Sequence, residues 1–157
     1  MPREMTLTFR TATRDDVPAI LTLLADDGVS RDRGFGTVPE ADDARIWAAF
    51  EAIDADDRNE LIVASDGAEV VGTCQLTYIP GLTRNGGERL LIEAVRISSA
   101  RRGQGLGGEL IRWAVEQGRA RGCTMVQLTS DKKRADAHRF YTKLGFAASH
   151  EGFKLAL

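Results

Sequence analysis

The residues best suited to chemistry lie in the run Ser98-Ser99-Ala100-Arg101-Arg102-Gly103-Gln104-Gly105-Leu106-Gly107-Gly108, which leads into an amphipathic stretch. Glycines at 103, 105 and 107 let backbone N–H groups approach a ligand with no Cβ in the way. At the start of a helix those donors meet the positive end of the dipole and favour phosphate. Arg101 and Arg102 add formal charge beside them. The pattern predicts an anion site. A second candidate is Glu93, set in Leu90-Leu91-Ile92-Glu93-Ala94-Val95-Arg96-Ile97. A carboxylate inside an apolar strand is either a base or one half of an ion pair, with Arg89 or Arg96 as the partner. Strand alternation puts Glu93 on the face shared with Val95 and Ile97, unless a bulge intervenes.

Other anion-binding patterns fit less well. Gly103-x-Gly105-x-x-Gly108 satisfies the dinucleotide expression, and Asp131 lies roughly twenty residues on, where a ribose-binding acid belongs. However, the polar run Ser98 to Arg102 separates the strand from the first glycine. Residues 132–157 are also too few for the other half of a doubly wound sheet. No Gly-Lys-Ser/Thr follows, which excludes a Walker A loop.

The elements that must hold these residues can be read from periodicity. Leu7 to Thr11 predicts a short strand, and Thr13 with Asp16 three residues on is a capping-box pattern. Val17, Ile20, Leu21 and Leu24 follow at helical spacing, with Pro18 in the first turn. Gly28 to Pro39 reads as a loop, and a second helix is expected from about Ala41 to Ile53. Asp66-Gly67 marks a hairpin between Leu61–Ala64 and Val70–Leu76. A loop from Pro80 to Gly87 leads to a strand from Arg89 to Ile97. A helix from about Gly103 to Arg121 ends at Gly122, and Thr124 to Thr129 is the next strand. A helix from Arg134 to Leu144 and a last strand from Phe153 to Leu157 complete the order β-α-α-β-β-β-α-β-α-β.

The pattern Arg102-x-x-Gly105-x-Gly107, followed some thirty residues later by Ala137-His138-Arg139-Phe140-Tyr141-Thr142-Lys143-Leu144-Gly145-Phe146, closely resembles the GNAT superfamily of N-acetyltransferases. The element order matches from about Thr6 to Leu157. The resemblance implies an α/β (α+β) fold with a mixed, mostly antiparallel central sheet and helices on both faces. It implies acetyl-CoA as cosubstrate, no metal, and an amine acceptor that is a small molecule or peptide. By the same resemblance the pyrophosphate rests on the amides of Arg102, Gly103, Gln104, Gly105, Leu106 and Gly107, with Gly108 close behind. Backbone groups of Val95 and Ile97 would pair with the pantetheine arm. Tyr141 would lie near the CoA sulfur as general acid, although periodicity alone equally makes it a core aromatic of the stripe Ala137-Phe140-Tyr141-Leu144. Some relatives use an acid at the position of Glu93 as base, often through water. Arg134 stands where the family often has Asn, and it could instead reach a cofactor phosphate. His138, flanked by Lys132, Lys133, Arg134 and Arg139, reads as part of an exposed basic face. A non-catalytic acyl-CoA-binding regulator is the main alternative, and a homodimer rests on the resemblance alone.

Bulk properties set the remaining bounds. The chain has 157 residues, of which 43% are apolar, enough for one domain with its own core over residues 1–157. A net charge of −2 gives no field to recruit nucleic acid or an anionic membrane. Cys74 and Cys123 stand apart in apolar runs, without metal-ligand or redox spacing. With no signal-peptide pattern and no membrane-length apolar run, a cytoplasmic location is expected.

Overall fold

Apolar residues at every second position, many of them β-branched, lay down five strands in the computed structural model, which describes residues 4–26 and 43–157. These are β1 (Leu7–Thr11), β2 (Asn59–Asp66), β3 (Glu69–Ile79), β4 (Arg89–Ile97) and β5 (Met125–Leu128). They form one sheet in the order β1-β2-β3-β4-β5, antiparallel throughout except for the parallel pair β4/β5. The helices are α1 (Val17–Ala25), α2 (Ala44–Asp54), α3 (Leu106–Arg121) and α4 (Ala135–Lys143). Gly67 takes a positive φ in the β2–β3 turn, and Gly122 caps α3 in the left-handed region, both as the sequence predicts. The expected loop Gly28 to Pro39 and the expected helix start near Ala41 lie outside the described residues.

Period-two alternation sorts the two faces of the sheet. Ile62, Cys74, Leu76, Leu90 and Ile92 pack against Leu110, Ile111 and Ala114 of α3. Val63 packs with Ile20 of α1, and Leu61 joins Val17, Leu21 and Phe50 of α1 and α2. The sheet is therefore covered by helices on both sides, and a doubly wound parallel dinucleotide fold is ruled out by the antiparallel ladders.

One expected element does not form. Phe153–Leu157 has strand-like alternation but no ladder, and every residue from Ala147 to Leu157 is exposed. A strand exists only through a hydrogen-bonded neighbour, and within the described residues this segment has none.

The entry into α1 is locked by one carboxylate. Asp16, 7% exposed, accepts from Arg10 Nη1 and Nη2 at 2.6 and 2.9 Å and from the Thr13 backbone N–H at 2.7 Å. The Arg10 hydrogen bonds, reinforced by Thr13, hold the Asp16 carboxyl down at about 2. A depressed value contributes stability that is present above the unfolded pKa near 3.9 and lost as pH falls through the folded one. Asp16→Asn should therefore lower unfolding stability by about 2 kcal/mol at pH 7. In urea melts the gap between wild type and variant should narrow between about pH 4 and pH 2. A gap independent of pH would mean that the ionised carboxylate is not what holds this corner.

Candidate active site

Two strands that begin side by side come apart. The β4/β5 ladder runs only from Arg89↔Met125 to Ile92↔Leu128, while β4 continues to Ile97. Just past that point β4 bulges: Gln75 faces Glu93 and Thr73 faces Arg96, so Cys74 opposes both Ala94 and Val95. Ala94 takes φ 53°, a left-handed conformation that costs a non-glycine residue about 1–2 kcal/mol. Such strain persists only where surrounding structure enforces it. Beyond Ile92 the β4 backbone has no β5 partner, and a cleft of about 510 Å³ opens there.

The walls of the cleft are apolar at Val95, Ile97, Ala135 and Ala137, and charged at Arg96, Arg102, Lys133 and Arg134 against Asp26 and Asp136. Four cations against two carboxylates leave the lining net positive. Among its lining residues Asp26, Ala135 and Asp136 carry no signal in the sequence, while Arg96 and Lys133 read there only as an ion-pair candidate and as part of a basic face. Asp26 ends α1, where its carbonyl accepts from Arg102 Nη2 at 3.3 Å, a meeting of residues far apart in sequence that no local pattern could reveal.

The glycine turn follows directly on Arg102, the turn residue that lines this cleft. Gly103 and Gly105 both have φ 79°, and a Cβ on either would meet nothing within 4 Å. The turn is thus an open cradle leading into α3, whose first residue is Leu106. Gly107 answers a different need: a Cβ there would lie 3.3 Å from Phe140 Cζ and 3.8 Å from Ile97 Cγ1. Its absence lets α4 and β4 brace the start of α3. Of the two arginines expected to charge the turn, only Arg102 faces the cleft. Arg101 is committed elsewhere, to Asp66 at 2.9 Å and Glu69 at 2.6 Å.

Tyr141 is half-buried, edge-on to Phe140 at 5.1 Å and Phe146 at 5.9 Å between ring centroids. Burial raises its phenol above the ordinary value, and the cations Arg96 and Arg134 pull it partly back. Those are two of the cleft cations, so the ring belongs to the apolar core while its hydroxyl senses the cleft.

Glu93 departs from expectation in its facing. The bulge turns Val95 and Ile97 onto the α3 side, with Leu90 and Ile92. Glu93 stays in register with Gln75 and, beyond it, Leu61, on the side of α1 and α2. It is exposed, and among the described residues it makes no ion pair with Arg89 or Arg96. His138 binds the Asp131 carbonyl through Nε2 at 3.0 Å on an exposed face, as its basic neighbours suggest. No cluster of His, Cys, Asp or Glu suited to a metal occurs among the described residues, and no described helix is long and apolar enough to cross a membrane.

Comparison with known proteins identifies the family. A profile of the acetyltransferase (GNAT) family matches residues 21–146, and the chain belongs to that family. Aminoalkylphosphonate N-acetyltransferase of Salmonella typhimurium is 45% identical over 56 residues, 36% of either chain. Streptothricin acetyltransferase of Streptomyces lavendulae is 32% identical over 97 residues, 62% of this chain and 48% of that one. The chain thus matches less than half the length of these two curated relatives. A solved structure of a transcriptional regulator from Bacillus halodurans superposes with a TM-score of 0.91 and 46% identity, covering 97% of this chain and 100% of that one.

Proposed function

We propose that the protein transfers an acetyl group from acetyl-CoA to an amine of a small molecule or peptide. The observation that carries this reading is the open cradle at Gly103 and Gly105, set at the N-terminus of α3 next to Arg102, which lines the cation-rich cleft where β4 loses its neighbour. An acyl-CoA has a matching shape and charge, an anionic pyrophosphate on a thin arm that can pair with a strand edge. The amides of Arg102, Gly103, Gln104, Gly105, Leu106 and Gly107 would hold the pyrophosphate, with Gly108 behind them and Arg102 and Arg134 adding charge. Backbone groups of Val95 and Ile97 would receive the pantetheine arm. When bound, the cosubstrate supplies an activated thioester carbonyl.

Every other part of the chemistry falls to side chains. An alkylamine with a pKa of about 10.4 is mostly protonated at pH 7, a deficit of about 3.4 units or 4–5 kcal/mol. Glu93, exposed and without an ion-pair partner among the described residues, would accept that proton through a water from the α1/α2 side of β4. Cys74 lies directly under the bulge, yet complete burial pushes its thiol up to about 12, so it offers no thiolate at neutral pH. That favours direct attack by the amine over an acyl-cysteine route. Tyr141, with its proton held firmly by burial, would donate to the departing thiolate. A CoA-like thiolate of pKa about 8.5 leaves fairly well unaided, so this help is modest.

The acetylated amines named for the two curated relatives belong to small molecules, which favours a small acceptor. The free thiols Cys74 and Cys123 suit a reducing, cytoplasmic setting. Likeness to a transcriptional regulator supports a second reading, a non-catalytic acyl-CoA sensor. A thiol-release assay over a panel of amines separates the two, since a sensor would bind acetyl-CoA and release no CoA.

Acetyl-CoA at about a hundred times its Kd should raise the melting temperature by roughly 5–10 °C. Gly105→Asp should abolish that shift at a folding cost of only about 1–2 kcal/mol, because Asp tolerates the left-handed region while its carboxylate repels phosphate. An undiminished shift in this variant would remove the glycine turn from the site.

Glu93→Gln should lower turnover about 10- to 100-fold at pH 7 and recover as pH rises, since more amine then arrives neutral. An unchanged pH–rate profile would strip Glu93 of the role of base.

Tyr141→Phe keeps the ring between Phe140 and Phe146, so stability should change by less than about 1 kcal/mol. Turnover should fall by roughly ten- to a hundred-fold with acetyl-CoA affinity intact. A drop in melting temperature with normal turnover would leave Tyr141 as a core aromatic and nothing more.

A further inference from the structure

A chain of hydrogen bonds crosses the sheet on the face that carries Glu93, and it fixes which way one amide points. Asp56, just past α2, accepts from the Arg58 backbone N–H and from Asn59 Nδ2, both at 2.9 Å. Those bonds hold its carboxyl below the ordinary range, so at neutral pH it is ionised and only accepts. Asn59 therefore turns its NH2 to Asp56 and its oxygen to β3. There the oxygen accepts from Thr77 Oγ1 at 2.8 Å and from Gln75 Nε2 at 3.3 Å. The two ends of an amide are told apart by their partners, and these partners leave one choice. Gln75 gives its NH2 to Asn59 and keeps its carbonyl oxygen, which has no donor among the described residues.

Gln75 stands directly across from Glu93 in the β3/β4 ladder, so the two side chains share a face, with Cβ atoms roughly 4.5–5.5 Å apart. Gln75 is half-buried and Glu93 is exposed, and the Glu93 carboxylate likewise has no donor among the described residues. Two neighbouring acceptors with no donor between them call for a group that brings several. We propose that the Gln75 carbonyl and the Glu93 carboxylate together seat the acceptor's alkylammonium group, with Asn59 as the positioning residue that keeps Gln75 aimed. The proposal rests on the reading of Glu93 as the base of acetyl transfer.

The two acceptors divide the work. A protonated alkylamine brings three N–H donors and a positive charge, whereas an alcohol brings one donor and no charge. One N–H goes to Gln75, and another goes through a water to Glu93. When the proton on the Glu93 side passes to the water and a water proton passes to the carboxylate, a neutral amine remains. That amine keeps its bond to Gln75, because a carbonyl oxygen accepts from the charged and the neutral nitrogen alike. The neutrality of Gln75 matters here. A second carboxylate at this position would bind the ammonium more tightly and would also hold its proton, since an opposite charge favours the charged form. Gln75 holds the nitrogen without opposing its deprotonation.

Steady-state thiol-release kinetics test this, with acetyl-CoA and whichever of an amino acid, a polyamine, an amino sugar and a lysine peptide the wild type turns over fastest. Gln75→Met keeps the length of the side chain without its carbonyl. It should raise the amine KM roughly ten- to a hundred-fold and leave the KM for acetyl-CoA unchanged. Asn59→Ala frees the Gln75 amide to turn over and should raise the amine KM by a smaller factor, roughly three- to ten-fold. Gln75→Glu should lower the amine KM, slow turnover at pH 7 and move the pH–rate profile to higher pH. That profile keeps the test valid if the Met variant folds poorly. A wild-type amine KM in Gln75→Met, or an unshifted profile in Gln75→Glu, overturns the proposal. Equal rises in both KM values would make Gln75 a packing residue and overturn it too, and a wild-type KM in Asn59→Ala removes Asn59 from the relay. Glu93→Gln separates this site from the reading it rests on. Slow turnover there with a normal Gln75→Met leaves the base in place and removes only the ammonium seat, whereas normal kinetics in both take the amine off this face. Acetylation of none of these amines sinks both readings.

Discussion

Everything functional here depends on the failure of β4 and β5 to stay together. A parallel pair is held by evenly spaced hydrogen bonds for as long as both strands last, and this pair runs only from Arg89 to Ile92 on β4. Beyond Ile92 the longer strand needs another partner for its backbone, and a ligand with strand-like hydrogen bonding can be that partner. The bulge at Ala94 and Val95 reinforces the parting by bending β4 where its neighbour ends. The left-handed Ala94 is the local cost of that bend.

Around the opening, packing and charge divide the work. Gly107 removes a side chain so that Phe140 and Ile97 can hold the head of α3, while Gly103 and Gly105 supply turn conformations with free space above them. The cleft's charge comes from four separate stretches of chain: Arg96 on β4, Arg102 in the turn, Lys133, Arg134 and Asp136 around the start of α4, and Asp26 at the end of α1. Arg101 illustrates the selectivity of this arrangement. It is adjacent to Arg102, yet its charge is consumed by Asp66 and Glu69 in the β2–β3 hairpin, where it pins the turn to the sheet.

Tyr141 shows how a core side chain can feel the charge of the cleft. Its ring is fixed by Phe140 and Phe146, and the same burial that makes it part of the core raises the phenol's affinity for its proton. Arg96 and Arg134 are close enough to oppose that shift, so the hydroxyl feels the charge of the cleft without leaving the core.

Much of this was legible in the sequence, because it is local. The glycine turn, the Thr13/Asp16 capping box that leads into α1, the Gly67 hairpin, the Gly122 stop and the limits of β1 and β4 all follow from side-chain chemistry within a few residues. The family resemblance rests on two such local motifs. Tertiary structure alone decided the rest. Alternation assigned Glu93 to the face of Val95 and Ile97, but an extra residue opposite Cys74 reversed it, and a bulge depends on the register of the partner strand. Alternation also made Phe153–Leu157 a strand, and its side chains do alternate. Whether it becomes one depends on a hydrogen-bonding neighbour, which a segment's own residues can invite but cannot supply.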